Sequence, residues 1–293
     1  MKGFELEKFQ VPFTTDVETF LNSITIGADP EFYPLNKRRE GGESTNWMKK
    51  FYNHINECKV PLIKRMIGYD NLNDSNYQLD DSYDSQYLEM RPGYFKSIPE
   101  IMQKLQWMIT YAYTKGLLMD VTTDDTIGAH IHIGHEYSSP NVTTARSYIG
   151  KFLAYFVGNP LYSLNPEGRI NSYYAQTDNL CSQSYGEEYK VLSSRILLSP
   201  KLTFICFNLV KEIITHVYLS GSHPDFLIYT TILRSNIKST NYSEDNSNIS
   251  IPSVEEYTQF GIDRKEFFDE IKKVKTMADQ NIVLSDSWLG LKL

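Results

Sequence analysis

Cysteine is scarce and scattered: the chain has three, Cys58, Cys181 and Cys206, an odd number with no CxxC pair. That spacing argues against a disulfide framework and a structural zinc knuckle, and it fits a reducing compartment. Long apolar runs are also missing. The most hydrophobic stretch, Leu202 to Leu219, is interrupted by Lys211, Glu212 and His216, so it cannot cross a bilayer cheaply. Positive charge is in deficit, with 29 Lys and Arg against 36 Asp and Glu and a formal net charge of −7. Nucleic acid and anionic membrane are therefore not expected partners. The N-terminal MKGFELEKFQ carries Glu5 and Glu7 where a signal peptide needs an apolar core, which points to the cytoplasm. Phosphate-binding loops of the GxxxxGK type, Rossmann GxGxxG, kinase signatures, internal repeats, heptads and Pro-rich linkers are all lacking.

What is present is the composition of an ordinary globular protein: 293 residues, 41% hydrophobic and 22% charged. Three helical stripes anchor the reading. From Ser97 to Leu118, Ile98, Ile101, Met102, Leu105, Met108, Ile109 and Ala112 recur at three- and four-residue steps behind a Ser97-x-x-Glu100 capping box. From Thr143 to Val157 the stripe is Ala145, Tyr148, Ile149, Phe152 and Phe156, with a stop expected before Gly158-Asn159-Pro160. From Lys201 to Leu219 it is Leu202, Ile205, Cys206, Leu209, Ile213 and Val217. Weaker helices are expected at Asp16 to Asn22, Asn46 to Cys58 and Asp263 to Ala278. Short apolar runs bounded by turn residues predict strands at Ile24 to Phe32, Ser85 to Arg91, Ala129 to Gly134 and Tyr185 to Ser193. Segments 68–84 and 238–253, dense in Asn, Asp and Ser, read as long loops, and substrate specificity is expected to reside in such loops. One α+β domain over 1–293 is the economical organisation.

Each of the four predicted strands carries a pair of polar residues two positions apart: Asp29 and Glu31, Glu89 and Arg91, His130 and His132, Glu188 and Lys190. Residues i and i+2 of a strand point to one face, so each pair projects together. Taken singly, such pairs are ordinary strand decoration. Together they describe a sheet with helices behind and a concave charged front. Asp29, Glu31, Glu89, Glu188 and His130 offer oxygen-rich ligation with one nitrogen, which suits Mg²⁺ or Mn²⁺ better than zinc. Arg91, His132, Arg169, Lys190 and Arg195 then supply the cations that polyphosphate chemistry needs.

The ordered set GADPE, E-x-R-P, GAHIHIG, and an Arg followed by YG-x-EY-basic resembles the phage-type COOH-NH₂ ligases, carboxylate-amine ligases (amidoligases) with a glutamine-synthetase-like fold. The resemblance covers residues 25–194 and leaves 195–293 as an unmatched helical C-terminal part with a loop near 238–253. It implies an antiparallel sheet whose concave face binds ATP and divalent ions, an acyl-phosphate intermediate, a small-molecule or peptide carboxylate, an amine, and a place in the host cytoplasm for a phage-encoded chain. By position it makes Asp29, His130 and Glu188 ligands of the ion bridging the nucleotide phosphates, and Glu31 and Glu89 ligands of the ion nearer the carboxylate. His132 and Arg169 resemble phosphate or substrate contacts, and Arg91 resembles the group that orients the carboxylate or acyl oxygen. The pattern departs once: Lys190 stands where these ligases usually have arginine, and lysine has no planar bidentate fork. Arg195 lies five positions on, on the other face of an ideal strand from Lys190, and reaches the site only through a bulge or turn.

Two other readings compete. His130-x-His132-x-x-His135 has the histidine spacing of the HxHxDH motif of metallo-β-lactamase-type hydrolases, with Gly134 in place of the aspartate. A non-catalytic nucleotide-binding or interaction protein that kept the fold is motivated by Lys190 and by 21 tyrosines and 15 phenylalanines available for an interface.

Overall fold

The computed structural model describes residues 17–34, 88–90, 92–114, 119–122, 127–135, 149–166, 169, 180–220, 251–282 and 284–289. The expected helix at Asn46 to Cys58, the loop 68–84, residues 238–250 of the second loop, and Arg91 lie outside these residues.

Alternation of small or polar residues with Ile and Phe produces the first strand, β1 (Thr25–Pro34), and the sharper alternation of AHIHIG produces β5 (Ala129–Gly134). Between them come three two-residue strands, β2 (Leu88–Glu89), β3 (Tyr94–Phe95) and β4 (Met119–Asp120), and after them β6 (Leu180–Gln183) and β7 (Gly186–Tyr189). All the pairings are antiparallel, in the order β2-β1-β5-β7-β6, with β3 and β4 also pairing β1. The coarse expectation of an α+β chain with an antiparallel sheet therefore holds. The strand expected over Ser85 to Arg91 is confined to Leu88–Glu89 among the described residues. The strand expected at Tyr185 to Ser193 is shorter, because Ser184 and Tyr185 form the turn from β6 and the chain leaves the ladder at Lys190. Ser193 keeps only an isolated bridge to Gly128.

One sheet face is apolar. Ile26, Ala28, Phe32, Ile131, Ile133 and Tyr189 are buried there within the main core, and each large aliphatic among them contributes about 2 kcal/mol relative to exposure. Helices cover that face. After α1 (Val17–Ser23), α2 (Ile98–Thr114) begins where the Glu100 carboxylate accepts the Ser97 backbone N–H, and it buries Ile98, Ile101, Met102, Leu105, Met108 and Ile109. It packs on β1 and on the long Pro200–Ser220 helix, which in turn packs on β5. That helix buries its predicted stripe, Leu202 to Val217.

The second predicted helix does not stop at Gly158-Asn159-Pro160. Residues 149–161 run on as α3, with a π-helical turn at Ala154–Gly158 in which the Asn159 N–H donates to Ala154 O. A proline inside a regular α-helix crowds the carbonyl four residues back, and the wider π turn relieves that crowding ahead of Pro160. Pro200–Ser220 is α4, followed by α5 (Val254–Thr258), α6 (Arg264–Asp279) and α7 (Leu284–Trp288). Asp263 caps α6 by accepting the N–H groups of Lys265 and Glu266. Tyr257 donates to Phe156 O and Trp288 Nε1 donates to Leu197 O, so the C-terminal helices brace the layer behind the sheet. No helix among the described residues is long and apolar enough to cross a membrane.

Candidate functional site

The other face of the sheet carries Asp29, His130, His132 and Glu188, from three of the predicted pairs. Asp29 lies opposite His130, Gly27 opposite His132, and His132 opposite Glu188, so these side chains rise from three adjacent strands on one side. They meet. Asp29 Oδ1 is 3.2 Å from His130 Nδ1 and 3.0 Å from His132 Nε2. Glu188 Oε1 is 3.4 Å from His130 Nδ1 and 3.1 Å from Lys190 Nζ, while its Oε2 accepts a hydrogen bond from Gln183 Nε2. One ligand atom from each of Asp29, His132 and Glu188 lies within 4.8 Å of the other two. The resemblance assigns His130 to that ion and His132 to phosphate; here it is His132 that completes the triad, with His130 beside it.

The remaining sequence candidates among the described residues make contacts of their own. Glu31 Oε2 accepts the Gly128 N–H at 2.6 Å, which ties the carboxylate to the start of β5. Glu89 stands opposite Glu31 in the β1–β2 register, and its side chain is outside the described residues. Arg169 is buried, and its guanidinium lies against Gly128, where a Cβ would come within 2.6 Å of Nη2. The same Nη2 donates to Lys190 O at 2.6 Å, so Arg169 braces the backbone of the segment that bears Lys190. Arg195 donates to Thr122 O at 2.7 Å and to Leu164 O at 3.3 Å, binding scaffold carbonyls.

Burial and charge push the two β1 carboxyls apart. Burial works against the Asp29 charge, but the two imidazoles at its oxygen outweigh it and hold the carboxyl well below the usual carboxylate range. Glu31 goes the other way: its burial, reinforced by Asp29, outweighs the opposing pull of His130, the Gly128 hydrogen bond and Arg169, and its affinity for a proton rises. Asp29 is thus a fixed anion and Glu31 the more basic neighbour.

The donor chemistry fits a hard divalent cation. Asp29 Oδ1 and His132 Nε2 are both shut off from solvent, and although they approach to 3.0 Å neither has an aligned hydrogen bond. A carboxylate oxygen and an imidazole nitrogen this close are stabilised by a shared proton or by a metal cation, and a set of carboxylate oxygens with an imidazole suits Mg²⁺ or Mn²⁺ that keeps several waters. A cavity of about 900 Å³ opens beside the triad, lined by Asp29, His132 and Glu188 together with Gly27, Tyr94, Gln183 and Tyr185. No protein-family model, curated protein or solved structure matches the chain. The site is accordingly read from its own residues.

Sequence reasoning missed Gln183, because LCSQ has no alternation to mark a strand, and gave Tyr185 no role although it opens the YG-x-EY motif. Strand alternation sends the adjacent Glu187 and Glu188 to opposite faces. Glu187 pairs with Ile133 on the helix-covered face, is buried, and has its Oε1 3.9 Å from His135 Nε2. The third histidine of the HxHxxH run therefore faces Glu187.

Proposed function

We propose that the protein is an ATP- and Mg²⁺-dependent carboxylate-amine ligase. The observation that carries this reading is the Asp29–His132–Glu188 donor set, with Lys190 beside it, on the polar face of an antiparallel sheet. The ordered motifs that resemble the phage-type ligases supply those same positions. In the proposed reaction a substrate carboxylate oxygen attacks the γ-phosphorus of ATP and ADP leaves, giving an acyl phosphate. The amine nitrogen then attacks the acyl carbon, phosphate departs, and the nitrogen loses a proton to complete the amide. A free carboxylate resists amine attack because its oxygen is a poor leaving group, which is why the phosphoryl group must come first.

This chain's residues divide the work. Asp29, His132 and Glu188, with His130 beside them, would hold the divalent ion, and Glu31 and Glu89 would serve a second position. The ions, when bound, screen the repulsion between nucleotide phosphates and the anionic substrate. Lys190 brings a cation to the transferring phosphoryl group, Arg169 braces the Lys190 backbone, and the cavity is of a size that accepts a ligand as large as a nucleotide. The hydrolase reading is less well supported, since it needs His135 in the ligand set and that ring faces Glu187.

Incubation with ATP and Mg²⁺ against a panel of amino acids and peptides tests the proposal. ADP should appear only when carboxylate and amine are both present, with one amide formed per ADP. Nucleotide binding without phosphate release would instead favour the non-catalytic reading, and tightly held zinc with no ATP requirement would favour the hydrolase.

A further inference from the structure

Tyr185 sits in the turn between β6 and β7 at the edge of the cavity. Its position is closely set. The His135 backbone N–H donates to Tyr185 O at 2.9 Å, and the next residue, Gly186, has φ +150° and no room for a Cβ, which would collide with the Ile133 carbonyl. Thus fixed, the phenol reaches across to β5. Its Oη is hydrogen-bonded to His132 Nδ1, and the two rings are tilted by 43° with centroids 5.8 Å apart.

A neutral imidazole carries one N–H, and the nitrogen that carries it cannot ligate a metal. The other nitrogen of His132, Nε2, lies 3.0 Å from Asp29 Oδ1 without an aligned hydrogen bond, the position from which a lone pair would reach a cation held by that carboxylate. We infer that Tyr185 is a positioning residue: its Oη accepts the His132 Nδ1–H, fixing the tautomer and ring orientation in which Nε2 offers its lone pair to a divalent cation shared with Asp29 and Glu188. The inference rests on the triad being a cation site. Its chemistry is general, because a metal-binding imidazole is held by a partner on its far nitrogen, and loss of that partner costs roughly 10–100-fold in metal affinity.

The test is Mn²⁺ titration by calorimetry of the full chain and of Tyr185→Phe, which removes the phenolic oxygen and keeps the ring. The variant should bind Mn²⁺ about 10–100-fold more weakly with a metal-free melting temperature close to that of the parent. Nitrogen-15 NMR of the metal-free parent should find His132 protonated at Nδ1, and this second reading stands even if the variant folds poorly. Equal Mn²⁺ affinity in the two proteins, or an Nε2–H tautomer in the parent, overturns the role of Tyr185 and leaves the metal site standing. A parent protein that does not bind Mn²⁺ overturns both.

Discussion

Replacing Glu188 with alanine should weaken Mg²⁺-dependent binding of an ATP analogue at least about 100-fold, a loss close to 3 kcal/mol. The effect is large because Glu188 joins the parts of the site. It is buried, with Oε1 against His130 and Lys190 and Oε2 accepting from Gln183. Removing the carboxylate deletes a metal ligand and also removes the Glu188 contact of the Lys190 ammonium, only 23% exposed, beside an incoming cation. Glu188→Gln separates charge from shape, since it keeps the volume and an acceptor for Gln183 while removing the negative charge. It should lose nearly as much affinity as alanine and unfold closer to the parent temperature. Calorimetric titration of the three proteins, alongside thermal melts, checks this. Equal affinities would remove Glu188 from the site.

Lys190→Ala should behave differently, lowering ADP release by roughly two orders of magnitude while nucleotide affinity stays within severalfold of the parent. In the proposed reaction the ammonium meets phosphoryl oxygens as charge redistributes, so its contribution is greatest in the transition state and appears in turnover. Its location favours this over a solvated surface lysine. Lys190 follows directly on β7, its backbone is braced by Arg169, and its Nζ is 3.1 Å from Glu188 Oε1. Lys190→Arg should retain or raise the rate, because guanidinium supplies the bidentate fork usual in the ligases that the motifs resemble. Steady-state kinetics on both variants decides the matter. An alanine variant as fast as the parent would take Lys190 out of the mechanism and make a non-catalytic role the better account.

The central strands were legible because period-two patterns are local. AHIHIG marks β5 at its observed ends, and the Asp29 and Glu31 pair marks the polar side of β1. Packing decided what the pattern could not. Tyr94–Phe95 and Met119–Asp120 are too short for any periodicity to register, and they exist as strands because β1 offers them backbone partners. Gly158-Asn159-Pro160 has the composition of a helix stop, yet the π turn before it carries the helix through. Within the site, alternation placed His130 and His132 on one face but could not say which ring nitrogen meets Asp29 and Glu188, since that depends on cross-strand register. Tyr185 illustrates the limit most sharply: it meets His132 across 53 positions of chain, and its place in the YG-x-EY motif says nothing of that contact.

The central claim is that Asp29, His132 and Glu188 hold a divalent cation. Its most direct test is electron paramagnetic resonance of Mn²⁺ titrated into the full chain and into Asp29→Asn, which keeps the side-chain shape and removes the fixed anion. Saturable Mn²⁺ binding to the parent, tightened by an ATP analogue, is expected, with a loss of at least about tenfold in the variant, about 1.4 kcal/mol and more than an exposed ion pair usually contributes. Absence of saturable binding to the parent, or undiminished binding to Asp29→Asn, would contradict it.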